Sequence, residues 1–215
     1  MDSSQLYYKC QRTELVRHIR QGRNRILDVG CAEGFLGQNL RQLGLASEVV
    51  GIEYVSDAAK SAGSKLDRVI CGDIELMNRD EMGLEAESFD YIICGDVLEH
   101  LRDPWSVLSW LVTRLKPGGG VIASLPNVRH WSVLLPLLLK GEWEYQSRGI
   151  MDRTHLRFFT RKSSVDLIKQ SGLTIETCEA ISYRKLDKLI LGITFGRLEG
   201  FTAIQWLITA KKGII

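Results

Sequence analysis

Ile26-Leu27-Asp28-Val29-Gly30-Cys31-Ala32-Glu33-Gly34 runs as an apolar strand into a glycine turn, and Val49-Val50-Gly51-Ile52-Glu53 follows about twenty residues on. Strand, glycine turn, helix, strand and lone carboxylate is the layout of a parallel α/β nucleoside-binding unit. In such a unit an acid ending the second strand accepts hydrogen bonds from ribose hydroxyls. Gly30 permits a sharp turn, and Gly34 permits close approach of a ligand or of the next helix. The turn lacks the third glycine of a dinucleotide fingerprint, and Asp28 stands where a pyrophosphate would have to be received. A carboxylate there repels phosphate and suits a cation, which argues against NAD and for a sulfonium nucleoside.

Working outward, residues 5–20 carry Leu6, Leu15, Val16 and Ile19 at spacings that predict a helix before the first strand, itself expected at Arg25–Val29. A helix over 34–43, a second strand at 48–53, a helix over 56–64 opened by a Ser56 cap and a third strand at 68–71 are expected next. Phe89–Cys94 is a continuous apolar run of the kind buried on both faces. Asp103-Pro104 starts a helix, since proline suits the first helical position. That helix is expected to stop at Lys116-Pro117-Gly118-Gly119-Gly120, a turn signal before a fifth strand at 121–125. Strands alternating with helices imply a doubly wound, mostly parallel Rossmann-like sheet with helices on both faces. Residues 127–160, rich in Trp, Arg and His, lack a clean period and read as a small cap with one short helix. A helix over 161–171, a strand near 173–180, a helix over 185–195 and a last, antiparallel strand at 202–210 would complete seven strands in a single domain over 1–215.

The composition fits that reading. With 45% hydrophobic and 25% charged residues the 215-residue chain is ordinary for a soluble globular protein. A net charge of +2 is too small to argue for nucleic acid or an anionic membrane. The polar start Met1-Asp2-Ser3-Ser4-Gln5 carries no apolar signal region. Val133–Leu139 is too short to span a bilayer and contains Pro136. Five cysteines without a C-x-x-C pair suit reduced thiols in a cytoplasm. The four histidines show no metal-ligand spacing, so no metal is expected.

Five blocks in order carry a resemblance: Asp28-x-Gly30-x-x-x-Gly34, Glu53, Gly72-Asp73-Ile74, Phe89–His100 and Leu115-Lys116-Pro117-Gly118-Gly119. Together they resemble the class I S-adenosylmethionine-dependent methyltransferases. Pro126–Trp131 and Asp152–Thr160 are similar to blocks of the small bacterial members found alone or fused to glycosyltransferases in surface-polysaccharide pathways. The resemblance implies S-adenosylmethionine as cofactor, held by Asp28, Gly30, Cys31, Ala32, Gly34, Glu53, Tyr54, Asp73, Ile74, Gly95 and Asp96. Asp28 would face the positive charge, Glu53 the ribose hydroxyls, Asp73 and Ile74 the adenine, and Gly95 would leave room for the sulfonium. Ala32 departs from the glycine commoner at that place.

A bland alternative stands beside each assignment. Asp28 could cap its loop, and Asp73 could form a Gly-Asp turn. Glu53, after Val-Val-Gly-Ile, has little evident structural purpose. Cys31, Cys71 and Cys94 read as small buried side chains. Methyl transfer to a hydroxyl needs alignment above all, and a base for the departing proton. His100 and Asp96, after strand four, are the catalytic candidates; a backbone-bonded helix-start histidine and a loop-orienting aspartate are the alternatives. Asn127, Arg129, His130, Arg148, Asp152, His155 and Arg157 are the acceptor-binding candidates, arginine forks suiting phosphate or carboxylate. Alternatively, Asp152, Arg153 and Arg157 tie the cap down as ion pairs.

The reading is therefore a methyltransferase acting on oxygen of a small-molecule or glycan-linked acceptor, with no nucleic-acid partner. The apolar Val133–Leu139 segment reads as a dimer contact or a lid over the substrate, and the partners to expect are a second copy or, from the resemblance, a glycosyltransferase. The rivals are an NAD-type dehydrogenase and a cofactor-binding module without chemistry.

Overall fold

The computed structural model describes residues 12–182, Asp187, Leu189 and 192–214. Seven strands form one sheet: β1 Asn24–Val29, β2 Ala46–Glu53, β3 Arg68–Cys71, β4 Phe89–Gly95, β5 Leu115–Pro126, β6 Thr174–Ile181 and β7 Gln205–Lys211. Their order is β3-β2-β1-β4-β5-β7-β6, parallel throughout except for β7, which runs antiparallel to both β5 and β6. The doubly wound expectation holds, including the antiparallel last strand.

Alternation along the central strands explains why they read as unbroken apolar runs. Leu27, Ile92, Val121 and Ile208 point into one core, beneath α4 (Pro104–Arg114) and α6 (Arg161–Gln170). Their neighbours Ile26, Ile93, Ile122 and Leu207 point into the other, beneath α1 (Thr13–Val16) and α2 (Phe35–Gln42). Each strand feeds both layers, so both of its faces must be apolar.

Local chemistry sets the helix ends. Asp103 accepts the Ser106 N–H at 3.1 Å with Pro104 at the first turn of α4, as expected. Thr160 and Ser163 form a reciprocal capping box at the start of α6. In contrast, α3 (Ser56–Ala62) has Val55 at its N-cap and no side-chain cap, so the expected Ser56 cap is absent. The turn expected at Lys116–Gly120 is instead a bulge inside β5: Phe89 pairs with Leu115 and Tyr91 with Gly120, so 116–119 loop out opposite Asp90. Lys116 reaches that Asp90 carboxylate at 2.8 Å. The cap holds α5 (Trp131–Lys140), which buries only Val133 and presents Leu135, Leu138 and Leu139 to solvent. Thr202, expected in the last strand, ends a short helix, α7 (Glu199–Thr202). Of the helices expected over 5–20 and 185–195, residues 5–11, 185, 186, 188, 190 and 191 lie outside the described residues, and within 12–20 the helix is confined to α1. Among the described residues no helix is long and apolar enough to cross a membrane.

Gly37, on the buried face of α2, shows how tightly that helix sits on the sheet. A Cβ there would lie 2.4 Å from Leu66 Cδ2 and 2.8 Å from Val49 Cγ1. Helix propensity alone favours alanine over glycine by about 1 kcal/mol. Overpacking against the stiff, buried Val49 outweighs this, so Gly37→Ala is expected to destabilise the protein by about 1–2 kcal/mol in urea unfolding. A gain in stability would contradict this packing.

Candidate active site

The sheet order reverses between β1 and β4, which leaves a crevice at the carboxyl ends of those two strands. Asp28 lies there almost fully buried, and its Oδ2 has no hydrogen-bond partner. Burial pushes its carboxyl up to about 7, against an opposing pull from the Arg12 guanidinium and with a smaller push from Glu53. The loop that follows turns on Gly30, with φ +70°, whose added Cβ would strike Val97 Cγ2 at 2.4 Å. Gly30 and Cys31 donate their N–H groups to Ile52 O at 2.8 and 3.1 Å, which ties the loop to the end of β2.

Glu53 has a structural purpose that its sequence context hides. Its Oε2 accepts the Ala32 N–H and its Oε1 the Val55 N–H, both at 2.8 Å. The carboxylate thus staples the glycine loop to the segment after β2. Each oxygen keeps a second lone pair for a further donor. Asp73 forms the Gly-Asp turn, its Oδ1 accepting the Glu75 N–H at 2.9 Å. Ile74 packs into the core beneath it, and Tyr54 is 72% exposed. Of the cysteines expected to be buried, Cys31 and Cys94 are, their thiols pushed up by burial, whereas Cys71 is exposed.

At the end of β4 the structure builds a charge cluster that spacing did not reveal. Asp96, at φ +59°, accepts Ser124 Oγ–H at 2.7 Å, Gln205 Nε2–H at 2.6 Å and Arg12 Nη1–H at 3.1 Å. Arg12 also donates to Ser124 Oγ at 3.0 Å and lies across Gly95, 3.3 Å from where a Cβ would stand. Arg12 went unnoticed because it sits 84 residues from Asp96 in a stretch with no motif.

His100, in the 3-10 turn Leu98–His100, is held by the cap. Its Nδ1 lies 3.1 Å from Thr154 Oγ1 and 3.2 Å from Thr154 O. Thr154 Oγ1–H in turn donates to Asp152 Oδ1 at 2.7 Å, so the threonine oxygen is left to accept. That chain places a hydrogen on Nδ1 and leaves Nε2 with its lone pair, the tautomer a base requires. Glu99 and His155 join it; acceptor-capable atoms of all three residues lie within 4.8 Å of one another. Histidine spacing in the sequence gave no sign of this cluster.

Several acceptor candidates are committed elsewhere. Asn127 is buried, with Nδ2 donating to Gly200 O and Ala203 O and Oδ1 accepting the Arg129 N–H. His130 is buried between Ser132 Oγ at 2.7 Å and Asp187 Oδ1 at 3.3 Å, and Asp187 also accepts Trp131 Nε1–H. Arg129 stacks on Phe201, 4.6 Å from the ring centroid. Arg157 donates to Arg102 O and lies over Trp105, while Arg148 is exposed. Among the described residues no ion pair joins Asp152, Arg153 and Arg157; the cap is held by hydrogen bonds instead.

The buried Asp28 carries a cost with a defined sign. Its carboxyl titrates about three pH units higher folded than the ordinary 3.8, so the folded state favours the neutral form. Stability is therefore whole below pH 4 and declines as pH rises through 7, by on the order of 4 kcal/mol. Asp28→Asn is expected to raise the melting temperature at about pH 8.5 and to change it little at about pH 4. An equal effect at both would contradict this linkage.

Residues 3–177 match the methyltransferase domain family. The ubiquinone biosynthesis O-methyltransferase of Burkholderia pseudomallei (strain 1710b) is 26% identical over 200 residues, covering 91% of this chain and 82% of that protein. A SAM-dependent methyltransferase structure from Archaeoglobus fulgidus superposes with a TM-score of 0.71 at 18% identity, covering 98% of this chain and all of that one. The [4+2]-cyclase SpnF superposes at 0.65, 18% identical, over 94% of this chain and 81% of that one, so the same fold hosts other chemistry. With the crevice, the glycine loop and the acid at the end of β2 in place, the chain belongs to the methyltransferase domain family.

Proposed function

We propose that the protein transfers a methyl group from S-adenosylmethionine to a hydroxyl oxygen of a small-molecule or glycan-linked acceptor. The observation that carries this reading is His100, in the turn that follows β4, whose Nδ1 is occupied by Thr154 and whose Nε2 keeps its lone pair. Oxygen as the nucleophile is also supported by the relatives named as O-methyltransferases. A sugar acceptor follows from the resemblance of 126–131 and 152–160; a phenolic acceptor, as the relatives' name suggests, is its competitor.

The residues fit the cofactor. The partnerless Asp28 Oδ2 suits an ammonium or a cation-held water, and the remaining lone pairs of Glu53 suit two ribose hydroxyls. In this reading Asp73 and the Ile74 backbone would take the adenine edge, and the Gly30–Gly34 loop, Cys31, Ala32 and Tyr54 would hold the methionine and ribose. Bound there, the cofactor supplies a methyl on a sulfonium, an already activated leaving group. Asp96, saturated by Ser124, Gln205 and Arg12, holds charge and the loop in place, while His100 takes the acceptor's proton. Of the acceptor candidates, Arg148 is exposed and Asp152 supports the Thr154 that holds His100, while Arg129, Arg157, Asn127 and His130 serve the cap's own packing. The exposed leucines of α5 suit a lid over the acceptor, a second copy or a glycosyltransferase. Reduced thiols suit a cytoplasmic setting.

Radiolabelled methyl transfer to a panel of sugars, nucleotide-linked sugars and catechols tests the proposal; labelling of none would overturn it. With a labelled acceptor in hand, His100→Gln is expected to lower kcat about 100-fold with cofactor affinity unchanged. An unchanged kcat would remove His100 as the base. Because a cation favours the Asp28 carboxylate, affinity for S-adenosylhomocysteine is expected to tighten up to about tenfold between about pH 6 and about pH 8. Asp28→Asn should flatten that dependence in calorimetric titrations, and a dependence that persists would contradict the role of Asp28.

A further inference from the structure

Glu99 is 1% exposed, and neither of its carboxylate oxygens has a hydrogen-bond partner. A buried polar group left in this state costs about 1–3 kcal/mol or more, and folds keep such a cost chiefly where function uses it. The carbonyl of Glu99 is used twice. It accepts the N–H groups of Leu156 and Arg157, both at 2.9 Å, and this clamp brings His155 alongside. His155 Nδ1 lies 3.0 Å from Ile150 O and donates to it, so Nε2 keeps its lone pair, 3.9 Å from Glu99 Oε1. The His100 ring stands edge-on to His155 with centroids 4.8 Å apart.

Burial pushes the Glu99 carboxyl well above the usual carboxylate range and pushes His155 down. Every neighbouring element contributes charge. Asp96 and Asp152 raise Glu99 further and Arg12 lowers it, while His155 is lowered by His100 and raised by Asp152 and Asp96. Below the cluster, the Cys94 thiol is pushed up to about 12 and stays neutral. The pull of Arg12 is the informative one, because its guanidinium lies against Gly95. A positive charge at the end of β4 is therefore felt at Glu99, and a sulfonium beside Gly95 would act in the same direction.

We propose that Glu99, backed by His155, is the final resting place of the acceptor's hydroxyl proton, and that the sulfonium charge of the bound cofactor switches it into its proton-accepting form. The proposal rests on the reading of methyl transfer to a hydroxyl. Glu99 acts through His100 and is a positioning residue. In the step, the acceptor O–H bond breaks, and its proton passes to His100 and, as the Glu99–His100–His155 cluster closes from its 4.8 Å span, on to the Glu99 carboxylate. The O–CH3 bond forms as the S–CH3 bond breaks, with the electron pair staying on sulfur. One sulfonium and one carboxylate become a neutral thioether and a neutral carboxylic acid, so the buried site holds no uncompensated charge before or after. The 3.9 Å gap to His155 needs about 1 Å of closure to become a hydrogen bond.

Calorimetric titration of the full chain with S-adenosylmethionine and with S-adenosylhomocysteine, in EDTA and in buffers of different ionisation enthalpy, counts the protons released by each. Arg12 also acts on Asp28, and so would a sulfonium beside Gly95, so each comparison is repeated in the Asp28→Asn background. Over a pH series the sulfonium form is expected to release more protons than the thioether, and Glu99→Gln made in the Asp28→Asn background is expected to abolish that difference while still binding both. Glu99→Gln alone should lower kcat about tenfold or more at unchanged cofactor KM, with Glu99→Asp restoring part. Equal proton release in the unmodified protein would overturn the proposal, as would a difference that survives Glu99→Gln in the Asp28→Asn background. Failure of both probes to bind would instead overturn the methyl-transfer reading beneath it.

Discussion

The crevice between β1 and β4 is the constraint on which the rest of the molecule depends. The chain winds outward from β1 to β2 and β3 on one side, then returns to place β4 on the other. No crossover covers the carboxyl ends of β1 and β4, so backbone and side chains there face a gap that the core cannot fill. Asp28 and Gly30 stand on one lip, Gly95, Asp96 and Glu99 on the other. Glu53 reaches across from β2 to pin the glycine loop.

That gap is acidic, and much of its acid is buried. Asp28 and Glu99 both have partnerless oxygens in low-dielectric surroundings, and the Arg12 guanidinium acts on each. Stability alone would favour removing these carboxyls. Their retention suits a ligand that brings positive charge with it, and it disfavours a pyrophosphate. Hydrogen bonds hold the cap: backbone bonds to Glu99, the Asp152–Thr154–His100 chain and the buried His130–Asp187 contact fix its place.

The strands were readable in the sequence because their two-faced burial leaves continuous apolar runs, and the loop because glycine and carboxylate spacing are local. Element ends were less so. The glycines of β5 read as a turn, yet pairing on either side with β4 carries the strand through them as a bulge. Thr202 looked like strand, although the chain needs a helical turn before it enters β7. In the site, Asp28, Glu53 and His100 stood out by position, whereas Arg12 and the Glu99–His155 contact join segments tens of residues apart, with no local mark. Asn127 and His130 looked like acceptor ligands because polar side chains in a cap suggest function; their complete burial and backbone partners are set by tertiary packing. Glu53 differs in the opposite sense: one of its two backbone donors, Val55, is two residues on, but the other, Ala32, is brought to it from the glycine loop 21 residues back.

The central claim is that this crevice takes a sulfonium nucleoside through an acid at the end of β2. Side-by-side calorimetry of the full chain with S-adenosylmethionine and NAD, on the unmodified protein and Glu53→Gln, tests it most directly, with melting curves to show that the variant is folded. Binding of the sulfonium cofactor alone, weakened at least about tenfold in the variant, is the predicted result. No heat with S-adenosylmethionine, or binding of NAD in its place, would contradict the account.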